Sequence, residues 1–478
     1  MPVPTPCHAP AKLACVLRLL LTLTLAVQCY AADRPNIVFV YTDDQASWAL
    51  GLSGHPHAST PNMDKLFRRG AYLPNSFTVT PVCSPSRASL ISSRYGSEVG
   101  LTDWLNPRRE PYKGLGDDIL TWPRLLKDAG YRTGLVGKWH LGLLDEQHPT
   151  QRGYEYFMGF RAGGTTPADP VLEKDGKQRQ FEGLTADILT THALEYLERV
   201  RGETFLLSLH YRAPHSRWLP VAAEDWAPFD GLNPIIPNPA FPYLDVERVR
   251  RMTREYLAST KSVDRNIGRL LAKLDELGLT DDTVIVYTSD HGYSMGHSGV
   301  WHKGNGHYVL TRNPPATANI PDGQRPNMWD RSIRVPTAVV WPGEVEPGSV
   351  VEGTVSNLDW LPTMAAIAGA DVPDGAIVRG RNIVPLLRGT APDWSNELYG
   401  EYSTHHQSRT HMRMLRTPQW KLVRDFLNPE RDEFYDLTAD PGETTNLIRH
   451  PRVQSAIAKL GERLLVRMRA VGDRLAEE

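Results

Sequence analysis

The 478-residue chain has only four cysteines, and three of them, Cys7, Cys15 and Cys29, crowd into its N-terminal stretch. Only Cys83 lies beyond that stretch, so no intramolecular disulfide can hold the rest of the chain together. A lone thiol is either a buried, inert side chain or one with a chemical task. Net charge is also lacking. The formal value is −2, and so small an imbalance gives bulk electrostatics no hold on nucleic acid or a membrane surface. Beyond the N-terminus no apolar run is long enough to span a bilayer. No Asn is followed two residues later by Ser or Thr with a non-proline between, which leans towards a bacterial periplasm or exterior over a glycosylating pathway.

The N-terminus reads as an address. Lys12 and Arg18 precede the apolar run from Leu19 to Val27, and Cys29, Tyr30, Ala31 and Ala32 follow. This layout predicts a signal peptide over 1–31 and a secreted or periplasmic protein. A membrane anchor would need a longer run. A lipoprotein attached through Cys29 would have Gln28 as an unfavourable preceding residue. Apolar residues make up 41% of the chain and charged residues 23%, an ordinary soluble composition. The length predicts a large domain over 32–385 and a smaller one over 386–478.

Four short apolar runs each end in polar residues. Asn36–Tyr41 leads into Thr42, Asp43 and Asp44. Tyr131–Val136 leads into Gly137, Lys138, Trp139 and His140. Phe205–Leu209 leads into His210 and then His215, and Thr283–Tyr287 into Ser289, Asp290 and His291. Such runs predict strands buried on both faces, as in a mostly parallel sheet. Helices are predicted from Thr121 to near Gly130 and over Val263–Leu277, whose apolar residues share one face and whose end is marked by Gly278. Strands alternating with helices give an α/β fold, in which ligands bind beyond the carboxyl ends of the strands. Towards the C-terminus Glu397–Tyr402, His411–Leu415 and Trp420–Asp425 read as an antiparallel sheet, with a terminal helix from Pro451. The Pro- and Asn-rich stretches 228–243 and 312–326 read as long loops.

The strongest local signal is Cys83-Ser84-Pro85-Ser86-Arg87. The run Gly130 to His140, GYRTGLVGKWH, is a second. Further along stand Ala213-Pro214-His215, Ser289-Asp290-His291-Gly292 and His302-Lys303-Gly304-Asn305. Together with Thr42-Asp43-Asp44 these resemble, in order, the motifs of the formylglycine-dependent sulfatases. The likeness runs from Arg34 to about Leu447. Two positions depart from the family pattern. Ser92-Ser93-Arg94 stands where sulfatases usually carry Thr-Gly-Arg, and His291 where many carry Asn.

The resemblance implies an alkaline phosphatase-like fold with a smaller C-terminal antiparallel sheet. It implies that a maturation enzyme oxidises Cys83 to formylglycine, whose hydrate attacks sulfur. Asp43, Asp44, Asp290 and His291, with the modified Cys83, would hold Ca²⁺ or Mg²⁺, since hard oxygen ligands suit those ions. Lys138 and Lys303 would clamp the sulfate oxygens, and Arg87 would orient the nucleophile. His140 would hydrogen-bond the hydrate, and His215 would protonate the leaving oxygen. Arg217, Trp218, His405, His406, Arg409 and His411, with Trp104 and Trp301, are candidates for holding the rest of the substrate, because aromatic faces suit sugar rings and basic groups suit neighbouring anions. The same tryptophans serve equally well as core residues. A sulfated polysaccharide or oligosaccharide is the expected substrate, and an aryl or small sulfate ester the alternative. Two other readings stay open: a phosphatase or phosphonate hydrolase of the same superfamily, and a sulfoglycan-binding protein that never matures Cys83. The sequence leaves the oligomeric state open.

Overall fold

The computed structural model describes residues 1–4 and 34–477. The leader expected over 1–31 lies, beyond its first four residues, outside them. No helix among the described residues is long and apolar enough to cross a membrane.

A nine-stranded sheet forms the centre. Five adjacent strands run parallel in the order Thr283–Ser289, Asn36–Thr42, Phe205–His210, Arg132–Lys138 and Tyr156–Phe160. These include all four predicted strands. Two antiparallel strands extend each edge, Ala338–Val340 and Ala71–Tyr72 on one side, Val171–Lys174 and Lys177–Gln180 on the other. Alternation along the strand Asn36–Thr42 builds two cores. Ile37, Phe39 and Tyr41 pack with Trp122, Trp360, Leu361 and Met364 on one face. Val38 and Val40 pack with Leu189, Leu197, Val263, Ile267 and Leu270 on the other.

The helix expected over Val263–Leu277 is longer, Val246–Glu276. Its first half carries Val249, Met252, Tyr256 and Leu257 on a second buried stretch, and the Asp245 carboxylate caps its start by accepting from the Arg248 N–H. The helix after Thr121 spans Trp122–Asp128.

Strands Leu398–Thr404, Thr410–Arg416, Trp420–Asp425 and Glu433–Asp436 form an all-antiparallel sheet. The helix Gln454–Ala470 lays Ile457, Leu460, Leu464 and Met468 on it. The same cluster includes Phe77, Val79, Val82 and Leu358, so the small sheet packs directly on the segment leading to Cys83. A buried charge network adds a second tie. Asp330 accepts from Arg416 at 2.9 Å and Lys421 at 3.0 Å and pairs with Arg334 at 2.8 Å, and Lys421 also reaches Glu443 at 2.7 Å.

Candidate active site

Four of the five parallel strands deliver a polar residue at the carboxyl end, and these residues converge. Asp43 and Asp44 follow one strand, Lys138 closes the second, His210 the third, and Asp290 and His291 follow the fourth. Gly137 carries φ +120°, and a β-carbon there would overlap the His210 carbonyl oxygen. Glycine therefore lets the Lys138 strand run close beside its neighbour just before the lysine enters the site. Asp44 and His140 also adopt positive φ, 70° and 59°, although neither is glycine. Cys83 begins the helix Cys83–Ser92, all of it buried, so the thiol sits at the positive end of the helix dipole.

The contacts are dense. Lys138 Nζ lies 2.6 Å from Asp43 Oδ2, and neither side chain is exposed. Lys303 Nζ lies 2.8 Å from Asp44 Oδ1 and 2.9 Å from Cys83 Sγ. His291 Nε2 is 3.1 Å from Asp44, 3.3 Å from Asp290 and 3.4 Å from Cys83 Sγ. Arg87 pairs with Asp290 at 3.0 Å and donates to the Lys138 carbonyl at 3.2 Å. His215 Nε2 stands 4.0 Å from Asp44 Oδ2, and His140 Nε2 is 3.2 Å from the Leu105 carbonyl oxygen.

These neighbours set the protonation states. Burial pushes the Asp43 carboxyl up, but Lys138, His215, Lys303 and Arg87 outweigh it and hold it well below the usual range. Burial also raises the Cys83 thiol, yet Lys138 and Lys303 bring it down to about 5, which favours a thiolate. Asp290 is pushed up to about 6 by burial and by Asp43. For His291, burial is overcome by Asp290 and Asp44, and the imidazole rises to about 9. Burial takes His215 down to about 4, against the pull of Asp44, so it is neutral at pH 7. Three carboxylates and a thiolate thus face two lysines, an arginine and a protonated imidazole, a site built around balanced charge.

A metal fits this donor set. Two overlapping groups, Asp43–Asp44–Cys83–His215 and Asp43–Cys83–Asp290–His291, each bring ligand atoms within 4.8 Å of one another. Asp44 Oδ2 is buried without a hydrogen-bond partner, which leaves an anionic oxygen to be satisfied. Carboxylate-rich ligation suits a hard divalent cation.

Above the site opens a cleft of about 450 Å³, with Cys83, His140, His215 and Lys303 at its floor. Trp104, His302, His307 and Gln407 form part of its wall. Of these, His307 and Gln407 were not singled out from the sequence, and His302 entered there only as the first residue of the motif that carries Lys303. Gly163 also lines it, where a β-carbon would come within 2.5 Å of His140 Nε2. The Ala162-Gly163-Gly164 run after the strand Tyr156–Phe160 is the sequence signal that could have pointed there, as a loop at a strand's carboxyl end.

The other expected substrate residues are placed differently. Trp218 is 6% exposed and packs against Tyr256 and Trp301 in an apolar cluster, away from the cleft wall. Arg217, beside it, is exposed. The His406 ring packs against Trp104 at 4.8 Å between centroids, tilted by 55°, and reaches the Trp104 carbonyl oxygen at 2.9 Å, so it supports that part of the wall. His405 pairs with Glu110 at 3.0 Å. Arg409 is exposed, and its backbone N–H donates to the Asn319 carbonyl. His411 is partly buried and its N–H donates to Asp425.

Fold and site together define a hydrolase of the alkaline phosphatase-like superfamily. A model of the family described as Sulfatase matches residues 35–370, and one described as N-sulphoglucosamine sulphohydrolase, C-terminal, matches 324–470. The chain belongs to the sulfatase family and hydrolyses sulfate esters. It is similar to the N-acetylglucosamine-6-O-sulfatase of Bacteroides thetaiotaomicron, 27% identical over 87% of this chain and 82% of the relative. It is also similar to the steryl-sulfatase of Homo sapiens, 29% identical over 80% of this chain and 75% of the relative. A solved structure of a protein in complex with its substrate, D-glucosamine-2-N,6-O-disulfate, superposes with a TM-score of 0.78 at 25% identity, over 92% of this chain and 99% of the other.

Proposed function

We propose that the protein is an exported, formylglycine-dependent sulfatase that removes sulfate from a sulfated oligosaccharide or polysaccharide and carries Ca²⁺ or Mg²⁺. The observation that carries this reading is the convergence on Cys83 of three buried carboxylates and two buried lysines beneath an open cleft. Asp43, Asp44, Asp290 and His291 would hold the cation, which neutralises sulfate charge and favours an ionised nucleophile. Formylglycine at position 83, supplied by a maturation enzyme, contributes a hydrated aldehyde whose hydroxyl is the nucleophile.

The remaining steps belong to the chain's own side chains. Lys138, beside Asp43, and Lys303, beside Asp44 and Cys83, are each a point charge with rotatable donors and bind the sulfate oxygens. Arg87, locked between Asp290 and the Lys138 carbonyl, keeps residue 83 and Asp290 in fixed relation. His140, with its buried Nδ1 lacking a hydrogen-bond partner, is available to the nucleophilic hydroxyls. His215 lies at the cleft floor where the leaving oxygen must take up a proton, and it acts as the donor once the anionic substrate raises its proton affinity.

The glycan assignment is supported by the named substrate of the superposed structure and the activity of the Bacteroides relative. The polar side of the cleft, His302, His307 and Gln407, supports it too. Likeness to a steryl-sulfatase and the apolar Trp104, Leu105 and Pro107 favour a second reading, a small hydrophobic sulfate ester. Turnover of defined sulfated oligosaccharides, 4-nitrophenyl sulfate and 4-nitrophenyl phosphate on one purified sample decides among them. The intact mass of the peptide containing residue 83 reports its modification. Phosphate turnover exceeding sulfate turnover, or an unmodified cysteine in a fully active sample, would overturn the proposal.

A further inference from the structure

Sulfate-ester oxygens only accept hydrogen bonds, and Lys138 and Lys303 only donate them. The reacting end of the site is therefore matched to the sulfate but says nothing about the alcohol that carries it. The residue next to Lys303 does. His302 ends the strand Val300–His302 and lines the cleft. Its Nδ1 lies 2.6 Å from Asn305 Oδ1. An amide oxygen only accepts, so the proton sits on Nδ1 and the lone pair on Nε2. The ring is held by Tyr293 at 5.5 Å, Trp301 at 5.2 Å and His307 at 5.0 Å between centroids. Burial and the neighbouring Lys303 and His307 hold its proton affinity well below the ordinary range for histidine, so the ring stays neutral.

The backbone at His302 has φ +87°, a conformation that costs an imidazole-bearing residue energy. The twist lets two consecutive side chains face the same chemistry. Lys303 reaches down to Asp44 and Cys83, while His302 stays on the cleft wall.

We propose that His302 is a specificity-determining residue, a neutral acceptor that receives a hydrogen bond from a hydroxyl or amide N–H on the sugar beside the sulfated position. The proposal rests on the glycan reading above. A site built to accept from a substrate hydroxyl rejects an analogue that lacks it, because the acceptor is then left unpaired.

The test first ranks the wild-type enzyme on monosulfated hexoses and N-acetylhexosamines against 4-nitrophenyl sulfate. It then compares His302→Ala and His302→Gln on the best sugar and on its deoxy analogues. For His302→Ala the ratio of sugar to aryl kcat/KM falls at least tenfold, and His302→Gln, whose amide oxygen still accepts, recovers part of it. One deoxy analogue shows no further loss in the Ala variant, which identifies the hydroxyl that is read. A ratio unchanged in His302→Ala, or losses that multiply for every deoxy analogue, would overturn the assignment. Wild-type enzyme that turns over only the aryl ester would overturn the glycan reading itself, and His302 as a sugar reader with it. That failure shows in the wild type alone, so the two are distinguishable.

Discussion

Lys421 is wholly buried, with its ammonium shared between Asp330 at 3.0 Å and Glu443 at 2.7 Å. Lys421→Met keeps the volume and removes the charge. Asp330 retains Arg416 and Arg334, but Glu443 loses its nearest cation and keeps only Arg331 against the repulsion of Asp330. Breaking a buried pair by removing one partner costs about 3–5 kcal/mol, and the retained guanidiniums place this case near about 3. The cost depends on pH. Burial already raises the Glu443 carboxyl above its usual value, with Lys421 pulling the other way and Asp330 adding to the rise. Loss of Lys421 raises it further. A carboxyl whose folded pKa is raised contributes its full stability below the unfolded pKa and loses it as pH climbs through the folded one. The variant's deficit should therefore be largest at pH 8 and shrink at pH 5.5. Urea unfolding at both values measures it. A deficit below about 1 kcal/mol at pH 8, or one that does not change with pH, would refute the reasoning. Adding Glu443→Gln should return part of the loss at pH 8.

Cys83→Ala should abolish sulfate release while leaving the unfolding midpoint within a small shift, because only a sulfur is lost from a polar site; multiple turnover by this variant would count against Cys83 as the nucleophile's precursor. Asp44→Asn and Asp290→Asn should each lower turnover by orders of magnitude and reduce the bound divalent cation measured by elemental analysis, since each replaces an anionic oxygen of the proposed ligand set with a neutral amide. If His291 is a ligand, its proton must leave on metal binding, so affinity for Ca²⁺ should rise as pH climbs towards about 9 and flatten above it, as read by calorimetry in two buffers. Gly137→Ala should prevent accumulation of folded protein, because its β-carbon has no room beside the His210 carbonyl; a soluble, active variant would show that the sheet relaxes there.

The sheet was legible where physics leaves one solution. Runs such as Asn36–Tyr41 are apolar on both faces, and only a strand covered on both sides buries them. The edge strands were harder. Val171–Lys174 and Lys177–Gln180 are largely polar, and their one signal is the two-residue turn Asp175-Gly176, with φ of 53° and 70° as a tight hairpin requires. The site's charged centre was legible because each residue follows its own strand. Of the cleft wall Trp104 alone was named as a candidate, since His302 and His307 reach it through a small ribbon of three short strands whose pairing no local pattern announces. Trp218 carries the same chemistry whether it faces a sugar or a core. Only packing against Tyr256 and Trp301 decides that it faces the core.

Cys83 is 2% exposed, and the helix it opens is buried along its whole length. If residue 83 is matured to formylglycine as proposed, the modifying enzyme has to reach a side chain that the folded protein covers, and the segment Cys83 to Arg87 cannot be lifted out without dismantling the core around it. For this chain, chemistry at position 83 is thus a matter of timing. It has to happen while the polypeptide is still unfolded, and a molecule that folds first is locked in its cysteine form. On that reading the active fraction of a preparation would be decided during synthesis, and a modifying enzyme added to the purified, folded protein would come too late.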